Sequence, residues 1–168
     1  LSSSVQLSTD AGTGATIHVT GYTDGDTNGP WDLTLVAGSA GDVLLDGAVG
    51  TTNNDLNTLA ITSANNVTFG STVDLVGDLT QAAGAGTTTF SGTSTIGGLV
   101  NMAANAFDVQ APLNVTGTVD LNANGGAGTI TLGAGISTAD SAITLTGNVE
   151  LSSSVQLSTD AGTGATIH

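Results

Sequence analysis

The chain has 168 residues and 14 Asp and Glu side chains but neither Lys nor Arg, so its formal net charge at pH 7 is −14. Without basic side chains, the sequence predicts no binding to nucleic acid or to anionic membranes, and no phosphate transfer that relies on a basic clamp. The absence of cysteine excludes disulfides and thiolate metal sites, and no apolar run reaches the roughly 20 residues of a membrane-inserted helix.

The beginning of the chain returns unchanged at its other end. Residues 1–18 and 151–168 both read LSSSVQLSTDAGTGATIH. A perfect copy at this distance predicts a tandem array, with residues 1–150 as one period and residues 151–168 as the start of the next identical period. The alternatives are an artificial duplication and a terminal segment present twice so that separate subunits overlap.

A shorter unit recurs inside this period. It consists of two apolar residues at i and i+2, a turn of small residues and a second apolar pair, and it occurs about seven times, or roughly every 21 residues, as in solenoids. In chain order the clearest pairs are Ile17/Val19, Leu33/Leu35, Leu59/Ile61, Val67/Phe69, Val119/Leu121, Ile130/Leu132 and Ile143/Leu145. Their alternation, often with Thr between them, predicts β-strands. Only residues 99–107 come near a helical pattern.

Two all-β architectures fit this pattern. In a parallel β-helix each unit is one coil, so the sequence predicts a β-solenoid of about seven coils per period. In the alternative, an antiparallel β-sandwich, the period is a tandem module and the small-residue turns are hairpin loops. The turns are longer than the tightest hairpin loops, and aromatic residues make up only 3% of the chain, so the β-helix is favoured.

Four stretches of the chain are rich in Gly, Ala, Thr and Asn: DLTLVAGSAGDVLLDGAVG, LAITSANNVTFGS, DLTQAAGAGTTTFSGT and GTITLGAGIST. They resemble giant repetitive bacterial surface proteins of the filamentous-haemagglutinin and autotransporter-adhesin type. The resemblance implies a right-handed β-helix that is secreted and stays at the cell surface. It brings no catalytic signature with it, so we do not expect an enzyme.

The best candidate for a ligand site is the segment DGDTNG. It matches the first half of a calcium loop, in which alternate oxygens face one ion and a glycine allows the sharp turn. The predicted metal ligands are Asp24, Asp26, Asn28 and Asp32. Leu35 stands where such a loop has its bidentate Glu, so an acidic turn without metal is the alternative. A chain without internal cations favours a divalent ion, and Ca²⁺ is the predicted cofactor.

Other polar residues suggest weaker hypotheses. Two further acidic pairs are Asp42/Asp46 and Asp74/Asp78. They are expected to be solvated loop residues, with stacking between neighbouring coils as the alternative. His18 lies between two apolar strand residues and returns as His168, so both imidazoles are predicted to face the solvent.

The expected function follows from the ends of a solenoid. Each end carries unpaired strand edges that can pair with another chain, and the sequence shows no polar capping repeat at either end. We therefore expect self-association end to end into a structural or adhesive extracellular filament of a bacterium. The alternative is a calcium-dependent module that binds surface glycans.

Overall fold

The computed structural model describes residues 1–9, 13–51, 56–160 and 165–168. In chain order its elements are β1 (Val5–Ser8), β2 (Ile17–Val19), β3 (Trp31–Val36), β4 (Val43–Leu45), β5 (Leu56–Ser63), β6 (Val67–Phe69), β7 (Val73–Leu75), β8 (Leu79–Gln81), β9 (Thr87–Phe90), β10 (Ser94–Ile96), β11 (Val100–Ala104), β12 (Ala106–Val109), β13 (Leu113–Val115), β14 (Val119–Ala123), a 3-10 turn (Asn124–Gly126), β15 (Thr129–Leu132), β16 (Ile136–Thr138), β17 (Ile143–Thr146), β18 (Asn148–Leu151) and β19 (Leu157–Ser158). Every strand pair within these ranges is parallel. The predicted all-β parallel solenoid is confirmed, and the antiparallel alternative is wrong.

The strands stack into three faces, which we name A, B and C. Face A is the 7-stranded sheet of β2, β4, β6, β9, β12, β15 and β18. Face B contains β7, β10, β13, β16 and β19, and it is extended at one end by bridges that stack Thr23, Val49 and Val73. Face C contains β1, β3, β5, β8, β11, β14 and β17, and β5 also pairs with β7, so that faces B and C form one 12-stranded sheet. The chain visits A, B and C in this order in each turn.

The turns differ in length. On face A the turn that leads from Ile17 to its stacked partner Val43 is longer than the turn that leads from Thr88 to its partner Phe107. The period of 150 residues spans between six and seven turns, slightly fewer than the seven coils predicted. The difference arises because the first turns of the chain are longer than the unit inferred from the sequence.

Alternate side chains along each strand point into the solenoid. In β6, for example, Val67 and Phe69 are fully buried, whereas Thr68 between them points outward. The apolar pairs predicted from the sequence form this interior, and only their outermost members, Val19 and Leu145, are partly buried. Burial of these side chains stabilises the stack by roughly 25 cal/mol per Å² of apolar surface removed from water.

Residues 99–107, which come nearest to a helical pattern, contain β11 and the first two residues of β12. Val100, Met102 and Ala104 of β11 are buried, whereas Asn101 is exposed. This is the alternation of a half-buried strand. β11 pairs with β8 on one side and β14 on the other. The helical interpretation is therefore wrong, because pairing with both neighbouring turns outweighs a weak local pattern.

Stacked glycines form the corner between faces B and C. The N–H of Gly98 donates to the carbonyl of Gly77 at 2.9 Å, and the N–H of Gly117 donates to the carbonyl of Gly98 at 2.8 Å. A Cβ on Gly98 would lie only 2.0 Å from Oδ1 of Asp78 and 2.7 Å from the carbonyl carbon of Gly77. The corner therefore requires residues without a side chain, because the backbones of successive turns approach closely.

Candidate functional site

The predicted calcium loop connects the end of face B in the first turn to β3. Asp26 is at its centre: its Oδ1 accepts the backbone N–H of Asn28 and the indole N–H of Trp31, each at 2.9 Å. The side-chain amide of Asn28 also donates to Oδ2 of Asp26 at 3.3 Å. The Trp31 indole, followed by the Asn28 backbone, holds the pKa of Asp26 below its ordinary value of 3.8. Asp26 is thus an ionised carboxylate at neutral pH.

The other two predicted carboxylate ligands bond to the next turn. Asp24 accepts the hydroxyl of Thr51 through Oδ2 at 2.7 Å. Oδ1 of Asp32 accepts the side-chain amide of Asn57 at 2.7 Å and the backbone N–H of Thr58 at 3.2 Å. In the part of the chain that the structure describes, no group of three or more His, Cys, Asp or Glu residues is placed to hold a metal ion. Calcium binding by this loop stays a prediction.

Asp42 connects two successive turns at the corner before face A. Its Oδ1 accepts the backbone N–H of Asn66 at 2.9 Å and the side-chain amides of Asn65 and Asn66 at 3.1 and 3.0 Å. Asn66 in turn accepts the backbone N–H of Thr87 in the following turn at 2.9 Å. The Asn66 backbone lowers the pKa of Asp42 below 3.8, and this effect outweighs its partial burial. The carboxylate of Asp42 thus lies between neighbouring coils, which was the alternative to a solvated loop residue in the sequence analysis.

Asp78 and Asp46 also bond to neighbouring turns. Oδ1 of Asp78 accepts the backbone N–H of Leu99 at 2.9 Å. Oδ2 of Asp46 lies 2.7 Å from Nε2 of His18 in the preceding turn, and both side chains are exposed. His168 is exposed as well, so the prediction that both imidazoles face the solvent is confirmed. The partner of His18 could not be found from local sequence, because it lies in the next turn of the solenoid.

The outer surface of face B carries a polar ladder, which we call the face-B ladder. Its rungs are the stacked outward residues Asp74, Thr95, Asn114, Ser137 and Ser158. The hydroxyl of Ser137 donates to Oδ1 of Asn114 at 2.9 Å, and the ladder lines a groove of about 520 Å³. The sequence analysis missed this surface because each rung comes from a different turn.

Exposed large apolar side chains concentrate at the two ends of the stack. We call β1, β2 and Thr23 the first edge, and β18, β19 and Ile167 the last edge. Among the described residues, the exposed large apolar side chains are Leu7 and Tyr22 in the first turn, Val149, Leu151 and Ile167 in the last turn, and Val76 in between. Each strand of both edges pairs with a neighbour on one side only.

No protein-family model matches the chain, and neither a curated protein nor a solved structure matches it. The fold is therefore shown by the structure alone: a parallel β-solenoid, compatible with a β-helix protein. Within the described ranges there is no helix of the length and apolarity needed to cross a bilayer.

Proposed function

We propose that the chain is a unit of a structural or adhesive extracellular fibre on a bacterial surface, and that its partner is another copy of itself. The units join along the solenoid axis, either as covalent tandem repeats or as separate chains that stack end to end. The observation that supports this most strongly is the placement of the exposed apolar side chains, which lie at the two edges of the stack with Val76 as the exception.

Joining two edges extends the existing fold. Each edge carries backbone N–H and C=O groups that lack a strand partner, and such groups favour pairing with a further strand. A new turn placed there would continue faces A, B and C and cover Val149, Leu151 and Ile167, which are 45, 64 and 47% exposed. Burial of apolar area and new main-chain hydrogen bonds would both favour the joined state.

The charge of the chain suits a long exposed polymer. With a net charge of −14 and no basic side chain, neighbouring fibres repel each other at low ionic strength, whereas a divalent cation can bridge them. The absence of Lys and Arg also removes every cleavage site for trypsin-like proteases. Placement at a bacterial surface rests on the resemblance to haemagglutinin and adhesin sequences.

Electron microscopy and fibre diffraction of the purified chain test this proposal. We expect unbranched filaments whose diffraction shows a spacing of about 4.8 Å along the fibre axis, because the strands stack along that axis. Val149→Asp, at the last edge, should reduce filament formation strongly. Val76→Asp is the matched control, since it adds the same charge at a valine that is 48% exposed away from both edges. A chain that remains monomeric at all concentrations, or equal loss in both variants, would refute end-to-end stacking of separate chains.

A second candidate function is calcium-dependent glycan binding. The observation that favours it is the face-B ladder, whose hydroxyl, amide and carboxylate groups line one groove. Such groups form hydrogen bonds with sugar hydroxyls. Glycan-array binding that requires Ca²⁺ and is lost in Asn114→Ala would support this function. Binding that is absent, or unchanged in Asn114→Ala, would remove it.

A further inference from the structure

The two identical segments of the chain occupy different faces of the solenoid. We call residues 1–18 the first repeat segment and residues 151–168 the second repeat segment. Leu7 of the first lies in β1 on face C, whereas its counterpart Leu157 lies in β19 on face B. The described residues of the two repeat segments therefore lie at positions in the stack that differ by one face.

A second pair of counterparts shows the same displacement. Ile17 lies in β2 on face A, whereas Ile167 pairs with Ile143 on face C, again one face back. Six full turns carry the chain from Ile17 to Val149 on face A, and Ile167 lies two faces further on. The offset between the two repeat segments thus corresponds to six and two-thirds turns, and the repeat does not end on the face where it began.

The two repeat segments have neighbours on opposite sides. β3 and β4 lie on the C-terminal side of the first repeat segment and pair with β1 and β2. β16 and β17 lie on the N-terminal side of the second repeat segment and pair with β19 and Ile167. Because the two sequences are identical, one segment can make both sets of contacts at once. β16 and β17 of one unit then lie below it, and β3 and β4 of the next unit lie above it.

We propose that consecutive units join through one shared copy of the repeat segment, and that each unit is turned by about two thirds of a revolution in the direction of the coil relative to the unit below, which is the same as one third of a revolution backwards. This proposal rests on the fibre proposed above and defines its junction. The occupant of the last edge is a second copy of this chain, placed so that its β3 and β4 cover the second repeat segment of the first copy. The β1–β3 and β2–β4 pairings within one chain supply the register of that contact.

The junction fixes the helical symmetry of the fibre. Six and two-thirds turns at about 4.8 Å per turn give a rise of about 32 Å per unit. Three units complete a whole number of turns, so the same face returns after about 96 Å. Every surface feature, including the face-B ladder and the His18–Asp46 pair, is then presented in three directions around the fibre. A repeat of whole turns would confine each feature to one stripe.

Helical reconstruction of filaments of the full chain by electron cryo-microscopy tests the junction. We expect a rise of about 32 Å and a rotation of about two thirds of a turn per unit, with a layer line near 96 Å, or about three times that rise. Filaments with almost no rotation between units, or with a rise of about 36 Å because both repeat segments are kept at each junction, would overturn the shared segment and leave the fibre standing. Absence of filaments would overturn both the stacking of separate chains and the junction between them.

Paired substitutions test whether the two segments are interchangeable. In the full chain, Ile17→Asp and Ile167→Asp each damage one segment, so the intact segment can still form the junction and filaments with an unchanged rise are expected. The double variant has no intact segment, and assembly should fall at least tenfold. Far-UV circular dichroism checks that each variant keeps its strands. Loss of assembly in either folded single variant, or normal assembly of the double variant, would refute the proposal.

Discussion

The middle turns and the first turn of the solenoid differ in length and in the share of their residues that form strands. The turn that leads from Thr88 to Phe107 on face A is short, and each face receives a strand. The turn that leads from Ile17 to Val43 is longer, yet its face B is reduced to the bridge residue Thr23. The additional residues form the polar loop around Asp26, and Tyr22 near this loop is 75% exposed.

This difference indicates where the fold is constrained. In a short turn every face has a strand with alternating buried side chains and the corners are tight, so a substitution at an inward or corner position disturbs the stack. In the long turn, polar residues lie outside the stack and can change without loss of the main-chain ladders. We therefore expect stability to depend most on the middle turns and calcium contacts to depend on the first turn. The following experiments test this division, from the largest expected effect to the smallest.

Removal of an aromatic side chain from the middle turns should have the largest effect. Phe90 is fully buried and stacks on Phe69 with ring centroids 5.0 Å apart. Phe90→Ala should lower the free energy of unfolding by about 3–5 kcal/mol, because it leaves a cavity in the core. Tyr22→Ala in the first turn should change it by less than about 0.5 kcal/mol. Urea unfolding at one protein concentration measures both, and equal losses would contradict the division.

A single methyl group should distinguish the corners of the two regions. Gly98→Ala should cost about 1–3 kcal/mol, since its Cβ would overlap Asp78 and the backbone of Gly77. Gly21→Ala is the control in the first turn, where a Cβ meets nothing within 4 Å. It should be neutral or stabilise the fold by up to about 1 kcal/mol. Thermal and urea unfolding compare the two, and a Gly98→Ala variant as stable as wild type would show that the corner relaxes freely.

Acid should weaken the contact between the first turns. The pKa of Asp42 is lower in the fold than its ordinary value of 3.8, so its carboxylate stabilises the folded state above that value. This contribution is lost as the pH falls through the folded pKa. When the pH is lowered below about 4, the free energy of unfolding should therefore fall less in Asp42→Asn than in wild type. Asp120→Asn removes the same charge from an outward position in β14, and an identical pH profile for both variants would contradict the role of Asp42.

Calcium should act on the loop of the first turn and leave the middle turns unchanged. Trp31 is the sole tryptophan of the sequence, and its indole bonds to Asp26, so its fluorescence reports on that carboxylate. We expect a saturable fluorescence change with Ca²⁺, a small rise in Tm, and loss of both in Asp26→Asn. Identical melting curves and spectra in EDTA and in Ca²⁺ would rule out the calcium site.

The interior of the fold could be predicted from the sequence, because alternating apolar residues have one favourable arrangement in a half-buried strand. Leu33 and Leu35 are both buried, as their spacing requires. The alternation does not explain Gln81, which is 2% exposed and accepts the hydroxyl of Thr88 at 2.7 Å across the core. Such a pair depends on which strands become neighbours, and local sequence does not contain that information.

Sequence patterns could not predict on which face of the solenoid each residue lies. Turn lengths vary, and each additional loop residue shifts the count of turns without changing any strand pattern. The identity of residues 1–18 and 151–168 therefore predicts a repeat but not its displacement by one face. The carboxylates at the corners were also difficult to interpret, because their partners lie one full turn away, as Asn66 does from Asp42.

Engineered cysteine pairs test the central claim most directly, since the natural chain has no cysteine. Asn114 and Ser137 are stacked partners in β13 and β16, about 4.8 Å apart, which is within the Cα separation of a disulfide. Asn114 and Asp120 point outward from faces B and C, but they would lie opposite each other in an antiparallel hairpin centred on Gly117. Under mild oxidation the account predicts rapid disulfide formation in the chain with Asn114→Cys and Ser137→Cys, and almost none with Asn114→Cys and Asp120→Cys. The reverse result would contradict the parallel solenoid.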